Sequence, residues 1–352
     1  MQMSAGHSPK RLLRVCSSSL LAFFVISLFV LSVFAASAAA LEPTVRVLLV
    51  DNKVFKVPEK EEKLQKLGMT KGDVLISGLK YSGSIEVWKG QSGLFVINEV
   101  PLEEYVKGVV SGEVGTNWPP EALKAQAVVS RTYALHQMLQ NGSSQFKYHL
   151  TSSVLHQMFK GGAIPEAVTR AVEETRREVL TYDGAPIAAY YHSTSDGMTE
   201  DPAEVFGKSY PYLRPVETKC ELSPYCLWER RISCGEVEKA LNLTGIERIR
   251  VSSLTQSQRA RNIQVVTRAG SREIPAKEFR KQLGWERLPS TMIVTVRREG
   301  NQFVFEGKGY GHGVGMCQWS ALQMAKAGLT YREILSTFYP GTTLELYEDR
   351  RF

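Results

Sequence analysis

Glu113 is the carboxylate in this sequence best placed for proton transfer. It follows a helical pattern, PLEEYVKGVV, that stops at Ser111-Gly112, and it stands five residues before Trp118. The negative end of a helix dipole and an apolar neighbour both disfavour an ionised carboxyl, raising its pKa towards what a general acid needs. A glutamate on a surface loop would leave the same trace, and composition leaves the two readings open. His149, His156, His192 and His312 all fall in polar or glycine-rich segments between regular elements. With Cys317 they offer donors of the kind zinc uses, but the spacing is irregular and no HExxH occurs. Ser193, Thr194 and Ser195 follow His192 without a G-x-S-x-G or S-x-x-K context, so they read as hydroxyl donors to a polar ligand or as turn formers. The run Gly307-Lys308-Gly309-Tyr310-Gly311-His312-Gly313-Val314-Gly315 superficially meets the dinucleotide-loop description but lacks a flanking βαβ unit. Its glycines fit a close backbone approach to a ligand, with His312 in an exposed, constrained turn.

The elements that must position these groups are legible in outline. VRVLLV, DVLISGL, SIEVWKG and GLFVIN between Val45 and Asn98 alternate like short strands, broken by Asp51-Asn52, Gly83 and Gln91-Ser92-Gly93. The charged stretch from Glu59 to Lys66 reads as a solvated helix or loop. Pro101 suits the first turn of the helix before Glu113, and Glu103 and Glu104 complement its N-terminus. A second helix starts at Pro119-Pro120-Glu121 and runs to Asn141-Gly142; Ala122, Ala125, Ala127 and Ala134 predict close packing along it. Residues 165–178 form a third helical pattern. Strands are expected at 178–181 and 187–191 around the Asp183-Gly184 turn, followed by a long polar loop over 193–219. A mixed segment from about 220 to 300 reads as an insertion or subdomain. QFVFEG, the glycine run, MCQWSALQMAKAG and YREILSTFYPG then supply a strand, a turn and two helices. The expected fold class is α+β, one unit with a β-rich N-terminal part: 41–97 β-rich, 98–219 core, 220–300 variable and 301–352 the rest of the core.

The chain has 352 residues, 43% of them hydrophobic, ample for a buried core. Lys10, Arg11 and Arg14 precede an apolar run from Leu20 to Phe34, and Ala35-Ala36-Ser37-Ala38-Ala39-Ala40 follows. That is the layout of a secretory signal over residues 1–40, with an uncleaved membrane anchor as the alternative, and it places the remainder outside the cytoplasm. Residues 1–40 hold three of the 43 Lys+Arg and none of the 36 Asp+Glu, leaving 40 basic against 36 acidic groups, a net +4. This modest excess suits anionic wall polymers, and no basic block with interleaved aromatics points to nucleic acid. Cys16 lies ahead of the apolar run, so it is badly placed as a lipoprotein acceptor. Of the four later cysteines, Cys220 could close a short loop with Cys226 or Cys234 in an oxidising compartment, or all four, Cys317 included, could stay free thiols.

Four stretches together resemble the stage II sporulation protein D family and its relative, the amidase enhancer LytB. They are INEVPLEEYVKGVVSGEV, NWPPEALKAQAVVSRTYAL, AAYYHSTSDGMTEDPAEVFG with PYLRPV, and GKGYGHGVGMCQWSALQMAKAGLTYREILSTFYPGTTL. The resemblance spans roughly 95–345, and 220–300 is much less alike. It implies an exported peptidoglycan-binding domain and, for the sporulation members, a lytic transglycosylase acting on glycan strands without stem peptides. The family's catalytic glutamate falls on Glu113. Gln126, Arg131, Tyr133, His192, Ser193, Thr194, Ser195, His312, Gly313, Gln318 and Trp319 match its other motif positions and are expected to line the sugar groove.

One departure bears on a cofactor. Where the family often reads C-D-x-x-H-C-Q-x-Y-x-G, this chain has Thr151-Ser152-Ser153-Val154-Leu155-His156-Gln157-Met158-Phe159-Lys160-Gly161, without either cysteine. Some members hold zinc there. No cofactor is expected here, with His149 and His156 as partial zinc donors and packing alone as what fixes the segment. The rival expectation for function is a non-catalytic wall-binding module that stimulates a separate cell-wall amidase, and a zinc amidase built on the histidines is a third.

Overall fold

The computed structural model describes residues 42–50, 63–115, 117–141, 147–153, 156–195 and 197–348. The leader expected over 1–40, Cys16 and residues 59–62 of the charged stretch 59–66 lie outside them, while Gln65 and Lys66, expected in a solvated helix or loop, begin a strand. Residues Pro43–Phe352 form one compact unit. Among the described residues no helix is long and apolar enough to cross a membrane.

The N-terminal part is a sheet of β1 (Thr44–Leu49), β2 (Gln65–Lys71), β5 (Ser84–Lys89) and β6 (Leu94–Pro101), with a hairpin of β3 (Val74–Ile76) and β4 (Leu79–Tyr81) beside it. DVLISGL, expected as one strand, therefore folds back on itself. Ser77 and Gly78 both take positive φ, 50° and 78°, the combination that a two-residue hairpin turn of the right twist requires. Strand β1 pairs antiparallel with β6 through Val45↔Val100 and Val47↔Asn98. It buries Val45, Val47 and Leu49 on one face against the helices that follow, while Leu48 joins Phe95 and Ile97 on the other.

Helix α1 (Leu102–Glu113) and helix α2 (Pro120–Asn141) carry that core. Ala122, Ala125, Ala127 and Ala134 are buried as their spacing predicts. A short parallel strand, β7 (Leu150–Thr151), adds to β1 and closes the sheet in the order β2-β5-β6-β1-β7. Helix α3 (Glu166–Glu174) is shorter than the pattern over 165–178, because Thr175 turns the chain and Glu178 already belongs to β8 (Glu178–Tyr182). Strand β9 (Ala185–Pro186) and strand β10 (Tyr191–His192) replace the single strand expected at 187–191. The polar stretch 193–219 contains β11 (Gly197–Met198), α4 (Pro202–Phe206) and β12 (Glu217–Thr218).

A second hydrophobic core lies wholly within residues 228–305. Its elements are β13 (Trp228–Ser233), α5 (Cys234–Leu241), β14 (Ile246–Leu254), β15 (Ala260–Thr267), β16 (Gly270–Pro275), α6 (Ala276–Leu283), β17 (Ile293–Glu299) and β18 (Gln302–Gly307). Two three-stranded antiparallel sheets, β13-β18-β17 and β14-β15-β16, enclose Phe279, Phe303 and Phe305. QFVFEG, expected to open the C-terminal part of the first core, instead forms the middle strand of this second one. The chain then returns to the first core through β19 (Met316–Cys317), α7 (Gln318–Lys326), α8 (Tyr331–Phe338) and β20 (Thr343–Leu346). Strand β19 pairs parallel with β10, and β20 pairs antiparallel with β8, so the two ends of the family-like sequence meet.

Candidate functional site

Glu113 is the last residue of α1, and two glycines one turn apart explain what reaches it. A Cβ on Gly108 would meet the Phe159 ring at 2.6 Å, and one on Gly112 would meet the Met158 carbonyl oxygen at 2.0 Å. Their bare faces let segment 156–161 cross the helix in contact. Phe159 then packs against Tyr105 and Tyr81, and Met158 N–H donates to Glu113 Oε1 at 2.6 Å. Tyr191 in β10 donates its hydroxyl to the same oxygen at 2.9 Å. Gln318, at the start of α7, offers Nε2 to Oε2 at 3.5 Å and to Gln126 Oε1 at 3.2 Å. Gln126 in turn donates to Ser130 Oγ at 3.0 Å. Gln157 accepts from the Tyr105 hydroxyl at 2.9 Å and reaches the Ser130 carbonyl at 3.4 Å. The segment that lacks the family's cysteines is thus held by hydrogen bonds as well as packing, which corrects the expectation of packing alone.

The Glu113 carboxyl is pushed up from the usual carboxylate range by burial. The bonds from Met158, Tyr191 and Gln318 and the charge of Lys160 pull the other way without cancelling it. No second carboxylate joins this network among the described residues. Trp118, read in sequence as an apolar neighbour, sits edge-on to Trp319 with ring centroids 5.2 Å apart, and both rings are half-buried.

Most motif residues expected to line a sugar groove are buried instead. Gln126 and Gln318 form the row that holds the Glu113 carboxyl. Arg131 is fully buried and forks onto Glu103, with Nη2 to Oε2 at 2.6 Å, so it pins α2 to α1. Glu103 stands in the first turn of α1, as expected, and is buried by this pair. Tyr133 packs on Tyr190 inside the core. Thr194 and Ser195 are buried in a backbone bridge to Tyr310 and beside Cys317. His192 donates Nδ1–H to the Val314 carbonyl at 3.1 Å and is held well below the usual imidazole range by burial and by the charges of His312 and Arg259. Of the residues expected in the groove, Ser193, His312 and Trp319 keep some exposure.

His312 is half-buried rather than exposed. Its ring accepts from Val314 N–H at 3.0 Å and lies 5.7 Å from that of His192. Burial, then Arg259 and Arg280, push its pKa down to about 3. The glycine run owes its spacing to backbone contact within the protein. Gly309, Gly311, Gly313 and Gly315 all take positive φ, and a Cβ on Gly315 would fall 1.9 Å from the Tyr190 carbonyl oxygen. Arg259 went unnoticed in sequence because it lies in the segment least like the family, and no local pattern marks it. Tyr191 was within reach, since it stands directly before His192 in a matched motif.

Cys220 and Cys226 form a disulfide, while Cys234 and Cys317 are buried thiols. The residues near 149–161 do not fit a zinc ion. His149 Nδ1 accepts from Arg46 N–H at 3.1 Å, and His156 Nδ1 lies 2.8 Å from Thr151 Oγ1. Among the described residues no group of three or more His, Cys, Asp or Glu could hold a metal ion.

The fold and site define an α+β protein that offers one protonatable carboxyl group to whatever binds beside it. Comparison with known proteins agrees with the α+β fold class. The model of a family described as stage II sporulation protein matches residues 90–182, and that of a domain of unknown function matches 228–315, the region of the second core. An uncharacterised protein of Brachyspira hyodysenteriae is 33% identical over 284 residues, 79% of this chain and 76% of that protein. The stage II sporulation protein D of Bacillus subtilis is 30% identical over 270 residues, 70% of this chain and 75% of its own. The amidase enhancer of Bacillus subtilis is 30% identical over 295 residues, 69% of this chain but 40% of the enhancer. The chain belongs to the stage II sporulation protein D family.

Proposed function

We propose that this protein is an exported peptidoglycan lytic transglycosylase with Glu113 as its acid/base. The observation that carries the reading is a carboxyl group whose pKa is raised by burial, aimed by Met158, Tyr191 and Gln318, with no second carboxylate in its network among the described residues. Hydrolytic glycosidases pair two carboxylates because water or the enzyme must supply the nucleophile. In transglycosylation the muramic acid 6-hydroxyl is the nucleophile, so one group suffices. Protonated Glu113 donates to the glycosidic oxygen as the C1–O bond breaks. The resulting carboxylate then takes the proton of the 6-hydroxyl as that oxygen attacks C1, leaving a 1,6-anhydro end and Glu113 protonated again. The half-buried edges of Trp118 and Trp319 suit a sugar face, which aromatic rings bind through apolar contact.

The likeness to an amidase enhancer favours a second reading, a wall-binding partner of a cell-wall amidase that needs no chemistry of its own. Incubation of the purified chain with intact and peptide-stripped peptidoglycan separates the two. Anhydro-muramic ends that disappear in Glu113→Gln support the transglycosylase. Binding without cleavage, together with amidase stimulation that Glu113→Gln leaves unchanged, supports the enhancer.

A further inference from the structure

The second core sends one side chain into the first. Arg259, at the turn between β14 and β15, is 1% exposed, and Nε, Nη1 and Nη2 all lack a hydrogen-bond partner. Its guanidinium lies flat against the glycine loop, where a Cβ on Gly313 would sit 2.6 Å from Nε. His192, which feels the Arg259 charge, and Ser195, whose N–H meets Cys317 beside Arg259, also bury atoms without partners, Nε2 and Oγ. Since His192 Nδ1 donates to Val314, its Nε2 carries a lone pair and can take a proton donor but cannot neutralise a cation.

Among the described residues the surrounding charge does not balance. Glu200 is the carboxylate that faces Arg259, but its Oε2 is bonded by Thr255 at 2.6 Å and Ser257 at 2.8 Å, and its Oε1 by Asp201 N–H at 2.8 Å. Arg280, 6% exposed, adds a second guanidinium whose partners are the neutral carbonyls of Leu288, Trp285 and Pro289. The two arginines repel each other, and burial lowers both from the usual arginine range. Cys317 Sγ donates towards the Ser193 carbonyl and accepts from Ser195 N–H. A buried, unpaired guanidinium costs several kcal/mol unless an anion or a full set of acceptors meets it.

We propose that Arg259 and Ser195 form a buried site for a small monovalent anion of halide or formate size, beneath the Gly309–Gly313 loop. Its occupancy braces the turn that leads through β19 to Gln318 and so to Glu113. The inference does not depend on the transglycosylase reading, because it is read out by binding and stability.

Crystals of the wild-type protein soaked in sodium bromide give an anomalous peak in contact with the Arg259 guanidinium. The full chain melts higher as bromide or formate replaces sulfate at constant ionic strength, by roughly 3 °C per tenfold rise in free anion above its dissociation constant. The rise is lost in Arg259→Met and weakened in Ser195→Ala, which keeps the charge if the first variant does not fold. Bromide sites elsewhere with only ordered water at Arg259, or the same anion dependence in Ser195→Ala and wild type, overturn the proposal.

Discussion

A carboxyl group that accepts from Met158 N–H and the Tyr191 hydroxyl would be a stronger acid than usual in water. At Glu113 the pKa rises all the same, because withdrawal from solvent penalises the charged form more than the bonds favour it. The proposed reaction starts from protonated Glu113, so kcat/KM falls as pH rises through this raised pKa. Tyr191→Phe removes a bond that favours the ionised form. Its alkaline limb therefore moves to higher pH, and a pH–rate profile with the limb unmoved or shifted down contradicts that role. Stability carries the same sign. A folded-state pKa above the unfolded one gives a contribution that is complete below the ordinary carboxylate value of 4.5 and lost as pH rises through the folded value. Thermal melts of wild type and Glu113→Gln should thus stay parallel in acid, with the variant gaining at neutral pH. The residue was legible in sequence, yet for a partly different reason: burial dominates, and its bonding partners stand 45 and 205 positions away, at Met158 and Gln318, where no local pattern could show them.

Helix α1 earns its place through Gly108 and Gly112, which hold the segment of Met158 in contact. Gly112→Ala drives a Cβ into the Met158 carbonyl and should cost about 1–3 kcal/mol, with loss of cleavage. Gly235→Ala in α5 meets nothing within 4 Å and should be neutral or stabilising by about 0.5 kcal/mol, so paired denaturant melts test the geometry. The α1–α2 contact makes another prediction. Arg131→Met strands the buried Glu103 charge and should cost about 3–5 kcal/mol, largely restored when Glu103→Leu is added. Motif matching had put Arg131 in a sugar groove. A motif records that a position matters without saying whether it faces a ligand or a neighbouring helix, which is why eight of the eleven expected groove residues turned out to be buried. Helix α2 and strands β1, β5 and β6 were readable as long apolar runs between proline, glycine and asparagine breakers, although α2 is buried all round over Ala125–Leu135 and β1 and β6 bury both faces. The β3–β4 hairpin was not, since its turn rests on the positive φ of Ser77.

At the scale of the whole molecule, the second hydrophobic core sends Arg259 against Gly313 of the glycine loop. That core was visible in sequence as a stretch unlike the family, but β18 hid within the family-like end because its partners, β13 and β17, lie upstream. The Cys220–Cys226 loop adds a brace: Tyr225 carbonyl accepts from Gly309 N–H at 2.8 Å, and Ser223 Oγ meets Thr194 Oγ1 at 2.7 Å. Replacing both cysteines with serine should lower stability by about 2 kcal/mol, read as a shift in the denaturant midpoint. The most direct measurement for the account as a whole is mass spectrometry of the soluble products released from peptide-stripped peptidoglycan by the purified chain and by Glu113→Gln. The account predicts 1,6-anhydro-muramic ends from the wild type and a loss of about 10²–10⁴-fold in the variant. Reducing ends formed by water, or anhydro ends released equally by both proteins, would contradict it.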